Sequence, residues 1–211
     1  MRERYEEELR KLNASIISMG KQIEIAIESS MLALMGRDVE AAREVAKNDE
    51  AINGMERDIE AQCMKLLLQQ QPVASDLRMI TAALKMVTDM ERIGDHAVDV
   101  ADLVLSVPDC KYGKMKEISD MAEEIINMLH DAVQSYIEKD YNKARNVIAH
   151  DDVIDELYHT IKKDLVEKIR QTDEGETILD YLLIAKYVER IGDHACHIAE
   201  WVIFSITGER A

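Results

Sequence analysis

Four pairs of oxygen-bearing side chains stand four residues apart: Asp49 and Asn53, Glu91 and Asp95, Asp151 and Asp155, Glu189 and Asp193. On a helix that spacing puts both members on one face. Several also interrupt an apolar stripe. Positions 42, 45, 49, 52, 56, 59, 63 and 66 are apolar except for Asp49 and Glu56. Positions 77, 80, 84, 87, 91, 94, 98, 101 and 105 are apolar or small except for Glu91. Asp151 and Glu189 take the places of Asp49 and Glu91 in a second copy of the pattern. Desolvating a carboxylate is costly, so an acid in a core phase calls for a counter-charge. Crowded like charges are relieved by a cation or by protons. Further along the same faces come Asp99 and Asp102 in one copy, His197 and Glu200 in the other. Oxygen ligands with an occasional imidazole suit hard or borderline cations such as iron, manganese, magnesium or zinc. The candidate metal ligands are Asp49, Asn53, Glu91, Asp95 and Asp99, then Asp151, Asp155, Glu189, Asp193 and His197.

The elements that must position these groups read as helices. The first stripe is Leu9, Leu12, Ile16, Met19, Ile23, Ile27, Met31 and Leu34, in steps of three and four. Gly36-Arg37-Asp38 reads as a C-cap followed by an N-cap. A second helix runs to Pro72, and Ser75 or Asp76 can cap a third that closes at Pro108. Each is about 30 residues, or ~45 Å. Helices two and three turn near Gln71. Asp49 lies 22 residues before that turn, and Glu91 and Asp95 lie 20 and 24 after it. Antiparallel packing therefore brings the three level. The second hairpin turns near Asp173, with Asp151 and Asp155 at 22 and 18 before and Glu189 and Asp193 at 16 and 20 after.

The chain repeats itself. ERIGDHAVDVADLVL from Glu91 returns as ERIGDHACHIAEWVI from Glu189, 98 residues on. RDVEAAREVAKNDEAIN (37–53) matches KDYNKARNVIAHDDVID (139–155) at an offset of 102. Self-similarity at so long a period marks a duplicated unit. The expected fold is all-α: two tandem, sequence-related antiparallel three-helix bundles with six long helices, over 1–108 and 109–211, the boundary falling near Pro108 to Gly113.

Plainer roles weigh on the same residues. Arg43, Lys47 and Arg92, with Arg145 and Arg190, could pair the acids without any metal. Arg92 and Arg190 follow their Glu by one position and so point about 100° away. Glu156 and His159 form one ExxH, the di-iron spacing, but Gly54 and Arg57 stand in the other copy. Gly94 and Gly192 inside helices point to close helix approach. His96 and His194 follow the Asp by one position and read as structural histidines ahead of metal ligands, the 12 Met mainly as core filling and Cys196 as packing.

Composition excludes other classes. With 8 Gly, 2 Pro and 9 aromatic residues (7 Tyr, 1 Trp, 1 Phe), turns and strands are poorly supplied. The net charge of −16 gives no positive footprint for nucleic acid or an anionic membrane. Cys63, Cys110 and Cys196 are scattered and odd in number, as in a reduced, cytoplasmic chain. The start MRERYEEELRK has no apolar h-region, and no apolar run, the short Trp201–Ile206 patch included, approaches the ~20 residues of a membrane span.

QPVASDLR (71–78) leading into ERIGDHA (91–97), with the second ERIGDHA and IAEWVIFSITGE after it, resembles the PhoU family of phosphate-uptake regulators. The resemblance covers nearly the whole chain. It implies a non-enzymatic, cytoplasmic, usually dimeric regulator that represses the phosphate-starvation response. The implied partners are the phosphate transporter's ATPase, through which the chain could associate with the membrane, and a sensor histidine kinase. It also implies multinuclear clusters of iron, zinc or another metal such as nickel, held by E(D)xxxD motifs. Carried over, the ligands are Asp49, Glu91 and Asp95 in one repeat and Asp151, Asp155, Glu189 and Asp193 in the other. Asn53 departs from the carboxylate form, and Asp99 and His197 stand where Asn is common in the family. The rivals are a di-metal carboxylate enzyme, which calls for paired ExxH motifs, and a metal-free structural bundle.

Overall fold

The computed structural model describes residues 2–36, 38–69, 73–106 and 116–210. They form six helices and no strand: α1 (Arg2–Gly36), α2 (Val39–Gln69), α3 (Ala74–Ser106), α4 (Lys116–Glu138), α5 (Tyr141–Ile169) and α6 (Gly175–Thr207). The all-α expectation holds. Pro72, Pro108, Gln71, Arg37, Cys110 and the expected repeat boundary lie outside the described residues. Helix starts follow local chemistry. The Asp38 carboxylate accepts from the N–H groups of Glu40 and Ala41 at 3.0 and 3.1 Å and opens α2. Asp140, at the same offset of 102, does the same for α5 through Asn142 and Lys143 at 2.9 and 3.0 Å. Gly208, with φ 85°, closes α6 by donating its N–H to Phe204 O at 2.8 Å. Ser75 and Asp76 do not cap α3. The helix already starts at Ala74, with Leu77 N–H bonding Val73 O at 2.9 Å, so both lie inside its first turn.

The packing explains why the stripes alone described only part of the architecture. α2 packs on α1 and α3, and α5 packs on α4 and α6. The two three-helix sets then join, α3 against α6 and α1 against α4. Thus α1, α3, α6 and α4 close a central four-helix ring, with α2 and α5 outside it. One apolar cluster draws on all six helices, including Ile16 of α1, Ile59 of α2, Met90 of α3, Ile125 of α4, Ile154 of α5 and Ile191 of α6. α3 is consequently buried on two faces. Besides the expected stripe it buries Met79, Ala83, Met86, Met90, Ile93, Ala97, Val100 and Val104, again in steps of three and four. Leu77 and Leu105, the ends of the expected stripe, are exposed. α3 and α6 run antiparallel: Asp89 meets His194, and His96 meets Tyr187.

The α2–α3 and α5–α6 contacts are close at the positions expected from glycine. A Cβ on Gly94 would lie 3.2 Å from Ile52 Cγ2, and one on Gly192 would lie 3.3 Å from Ile154 Cγ2. Ile52 and Ile154 are themselves equivalent positions in the two repeats. Both glycines let an outer helix settle against its neighbour beside the acids.

Candidate metal centres

Each outer helix meets its neighbour along a groove of acids. In the first, Asp49 and Asn53 on α2 face Glu91 and Asp95 on α3. Burial and the Asp95 charge raise the pKa of Asp49. Burial, Asp95 and Asp49 raise that of Glu91, against the lowering effect of Arg92. Glu56, the other break in the α2 stripe, is raised by burial and by Glu91. The acids of both helices thus share one electrostatic field. Asn53 Nδ2 donates to Asp49 Oδ2 at 2.9 Å. Asp49 Oδ1 and Asn53 Oδ1 are buried with no hydrogen-bond partner.

In the second groove Asp151 and Asp155 on α5 face Glu189 and Asp193 on α6. Burial, then Asp193, Asp155 and Glu189, push the Asp151 carboxyl up to about 6. Asp155 is exposed and Glu189 is buried. Lys186 donates its Nζ to both Glu189 oxygens, at 2.6 and 2.5 Å.

The remaining sequence candidates are engaged elsewhere. Asp99 accepts from His96 Nδ1 at 3.1 Å. His197 lies against Asp89, Nδ1 to Oδ1 3.5 Å. His159, of the single ExxH, bonds through Nδ1 to the Asp155 carbonyl at 2.7 Å. Of the basic residues, Arg43 and Lys47 pair with Glu40 and Glu44 on their own helix. Arg92 reaches the site despite following Glu91 by one position: its Nη1 lies 2.9 Å from Asp95 and its Nε 3.5 Å from Glu91. Sequence reasoning passed over Lys186 and Asp89, and it left Glu56 out of the ligand set. The Glu56 signal was present, as a break in the core phase.

The donor set fits a cation. A carboxylate and an amide oxygen are acceptors only, and two such atoms stand buried without a donor in the first groove. Carboxyls held above their ordinary pKa by burial and then by one another are relieved by positive charge. An all-oxygen set suits a hard ion. The grooves are not preformed cages. Among the described residues, the one group of three or more His, Cys, Asp or Glu side chains whose ligand atoms all lie within 4.8 Å of one another is Asp89, His194 and His197. In the second groove Lys186 supplies one positive charge to Glu189, which an ion would share or displace.

Comparison with known proteins identifies the family of the fold. The PhoU domain model matches residues 16–104 and 118–202, once in each repeat. A phosphate-specific transport system accessory protein PhoU homolog of Clostridium acetobutylicum is 36% identical over 210 residues, covering 98% of this chain and 95% of the relative. PhoU homolog 1 of Thermotoga maritima is 33% identical, covering 97% and 90%. The crystal structure of PhoU from Pseudomonas aeruginosa superposes with a TM-score of 0.90 at 31% identity, over 97% of this chain and all of that one. The phosphate transport system regulatory protein PhoU from Streptococcus pneumoniae gives 0.92 at 27% identity, over 98% and 99%. Two copies of one domain, six helices in the same arrangement and identity over the full length agree: the chain belongs to the PhoU family.

Proposed function

We propose that the chain is a non-enzymatic accessory regulator of a phosphate transport system, and that its two acidic grooves bind metal ions. The observation that carries the metal reading is the recurrence of one carboxylate arrangement at equivalent places in both repeats. The transport reading rests on relatives named as accessory proteins of phosphate-specific transport. Asp49, Asn53, Glu91 and Asp95 would hold ions in one groove, and Asp151, Asp155, Glu189 and Asp193 in the other. Iron or zinc, in sites of more than one ion, is the first expectation; manganese, nickel or magnesium also suit oxygen donors. Bound cations supply counter-charge to a chain of net charge −16 and fix α2 on α3 and α5 on α6. They thereby set the charge pattern of the faces offered to a partner. The expected partners are the transporter's ATPase and a sensor histidine kinase, contacted on the cytoplasmic side by a homodimer. Contact restrains uptake and the starvation response when phosphate is plentiful. None of the described helices is long and apolar enough to cross a membrane, which agrees with association through the transporter.

A second reading has its own observation. Arg92 and Lys186 already neutralise part of each groove, so the acids could serve a metal-free bundle. Metal analysis of the purified chain, reconstituted with iron, zinc or manganese, separates the two. Wild type is expected to hold stoichiometric metal, with Glu91→Ala and Glu189→Ala each losing the share of one groove. No bound metal in wild type would sink the metal reading. Capture of the transporter ATPase or the kinase by the immobilised chain tests the regulatory reading separately, and failure with both would overturn it.

A further inference from the structure

The α3–α6 seam carries a polar group outside both grooves. His194 and His197 stand three apart on α6, so their rings share a face. Asp89 of α3 comes between them. Its Oδ1 lies 2.9 Å from His194 Nδ1 and 3.5 Å from His197 Nδ1. The rings meet edge-on, with centroids 5.6 Å apart. Two ligand atoms each about 2.1 Å from a tetrahedral zinc ion stand about 3.4 Å from each other. The separation of Asp89 from His197 is already of that size, and that from His194, now a hydrogen bond, needs to open by about 0.5 Å. The side chains of Asp89 and His194 are 17% and 18% exposed and that of His197 is 47% exposed. Two ligands therefore sit in the seam while the third opens to solvent, where water can complete the coordination. Two imidazoles and one carboxylate form a donor set of zinc character, unlike the all-oxygen grooves.

The duplication supplies an internal control. Positions 89, 194 and 197 correspond by the offset of 98 to Tyr187, His96 and Asp99. There the His96 ring stacks on Tyr187 at 5.6 Å and bonds Asp99. The related half of the seam thus closes without a carboxylate at the crossing position. Packing of α3 on α6 does not by itself require Asp89. A carboxylate there is what converts a histidine pair into three converging ligands, and it occurs in one half only.

We propose that Asp89, His194 and His197 bind one borderline divalent cation of the zinc class, and that the ion pins α3 to α6 across the two repeats. The site takes none of its three ligands from the acidic grooves, although His194 lies near enough to Glu91 to act on its pKa, so binding at each is tested by its own substitutions. The test is calorimetric titration of Zn²⁺ into the full chain as wild type, Asp89→Asn, His197→Gln and the double groove variant Glu91→Gln/Glu189→Gln. One Zn²⁺ equivalent is expected to survive in the groove variant. Asp89→Asn and His197→Gln should each weaken it by at least the ~10–100-fold that even outer-sphere changes cause. Zn²⁺ should also raise Tm in the groove variant but not after adding His197→Gln, because an ion bound only by the folded seam stabilises it. The exposed His197 keeps the test clear of misfolding. Unchanged Zn²⁺ affinity when His197→Gln is added to the groove variant, or loss of all Zn²⁺ binding in the groove variant, would overturn the proposal. A Tm that does not respond would overturn the pin.

Discussion

Asp151 is the residue in which the strain of the acidic grooves is clearest. It is half-buried on α5, faced by Asp193, Asp155 and Glu189, and its carboxyl rises from 3.8 to about 6. A carboxyl whose pKa is higher in the fold than in the unfolded chain binds its proton more tightly when folded. Its contribution to stability is therefore full below about 3.8 and is lost as pH rises through about 6. In the metal-free chain this should cost roughly 1 kcal/mol by neutral pH, after allowing for solvent screening of a partly exposed group. Asp151→Asn removes that cost. Thermal unfolding with chelator present should find the variant gaining on wild type at pH 7.5, with the advantage shrinking by pH 5 and gone below about 3.8. An advantage of the same size at both pH values would contradict this account. Asp151 and Glu189 were legible in the sequence because each breaks an apolar stripe twice, once per copy. Lys186 and Asp89 were not. Their counterparts are Thr88 and Tyr187, so a search for what recurs passes over what one copy alone carries.

At the scale of helices, the grooves depend on how closely α2 approaches α3 and α5 approaches α6. Gly94 makes the first approach possible, with Ile52 Cγ2 and Cδ1 at 3.2 and 3.3 Å from where a Cβ would stand. Gly94→Val forces a branched side chain into that contact. It should cost about 1–3 kcal/mol by overpacking, and weaken metal binding in the first groove by prising Asp49 away from Glu91 and Asp95. Gly54, also within α2, is the contrast. Its added Cβ would meet only Arg57 Nη2, at 3.9 Å. Gly54→Ala should raise stability by up to ~1 kcal/mol, the helix-propensity difference. Urea midpoints of the two variants, read beside metal content, check both signs; a stabilising Gly94→Val would refute the close-approach role. The helices were legible in number and type because stripes in steps of three and four, acidic caps and the two prolines agree. The start of α3 was not, because its first turn needs no side-chain cap: the Val73 carbonyl opens the ladder.

At the scale of the molecule, the repeat was plain in the sequence and the joint between its copies was not. Either three-helix set can be drawn from one stripe per helix, whereas the second stripe of α3, from Met79 to Val104, has meaning only once α6 is laid against it. That shared seam and the continuous core imply that the two repeats unfold as one. Two observations make this testable with single substitutions. Ile59 is buried in α2, a helix that packs only on α1 and α3 among the described elements. Trp201, the chain's one tryptophan, lies on α6, edge-on to Phe204 at 5.7 Å. Ile59→Ala should remove about 2–5 kcal/mol through the cavity it leaves. If the core is one cooperative unit, the urea midpoint reported by Trp201 fluorescence falls by the same amount as that reported by helical circular dichroism, although the altered side chain lies in a helix that packs on α1 and α3. If each repeat carries its own stability, Trp201 keeps the wild-type midpoint while about half of the helical signal is lost early. The first outcome makes α3 and α6 the means by which a change at one groove reaches the other, since destabilising either repeat then destabilises both.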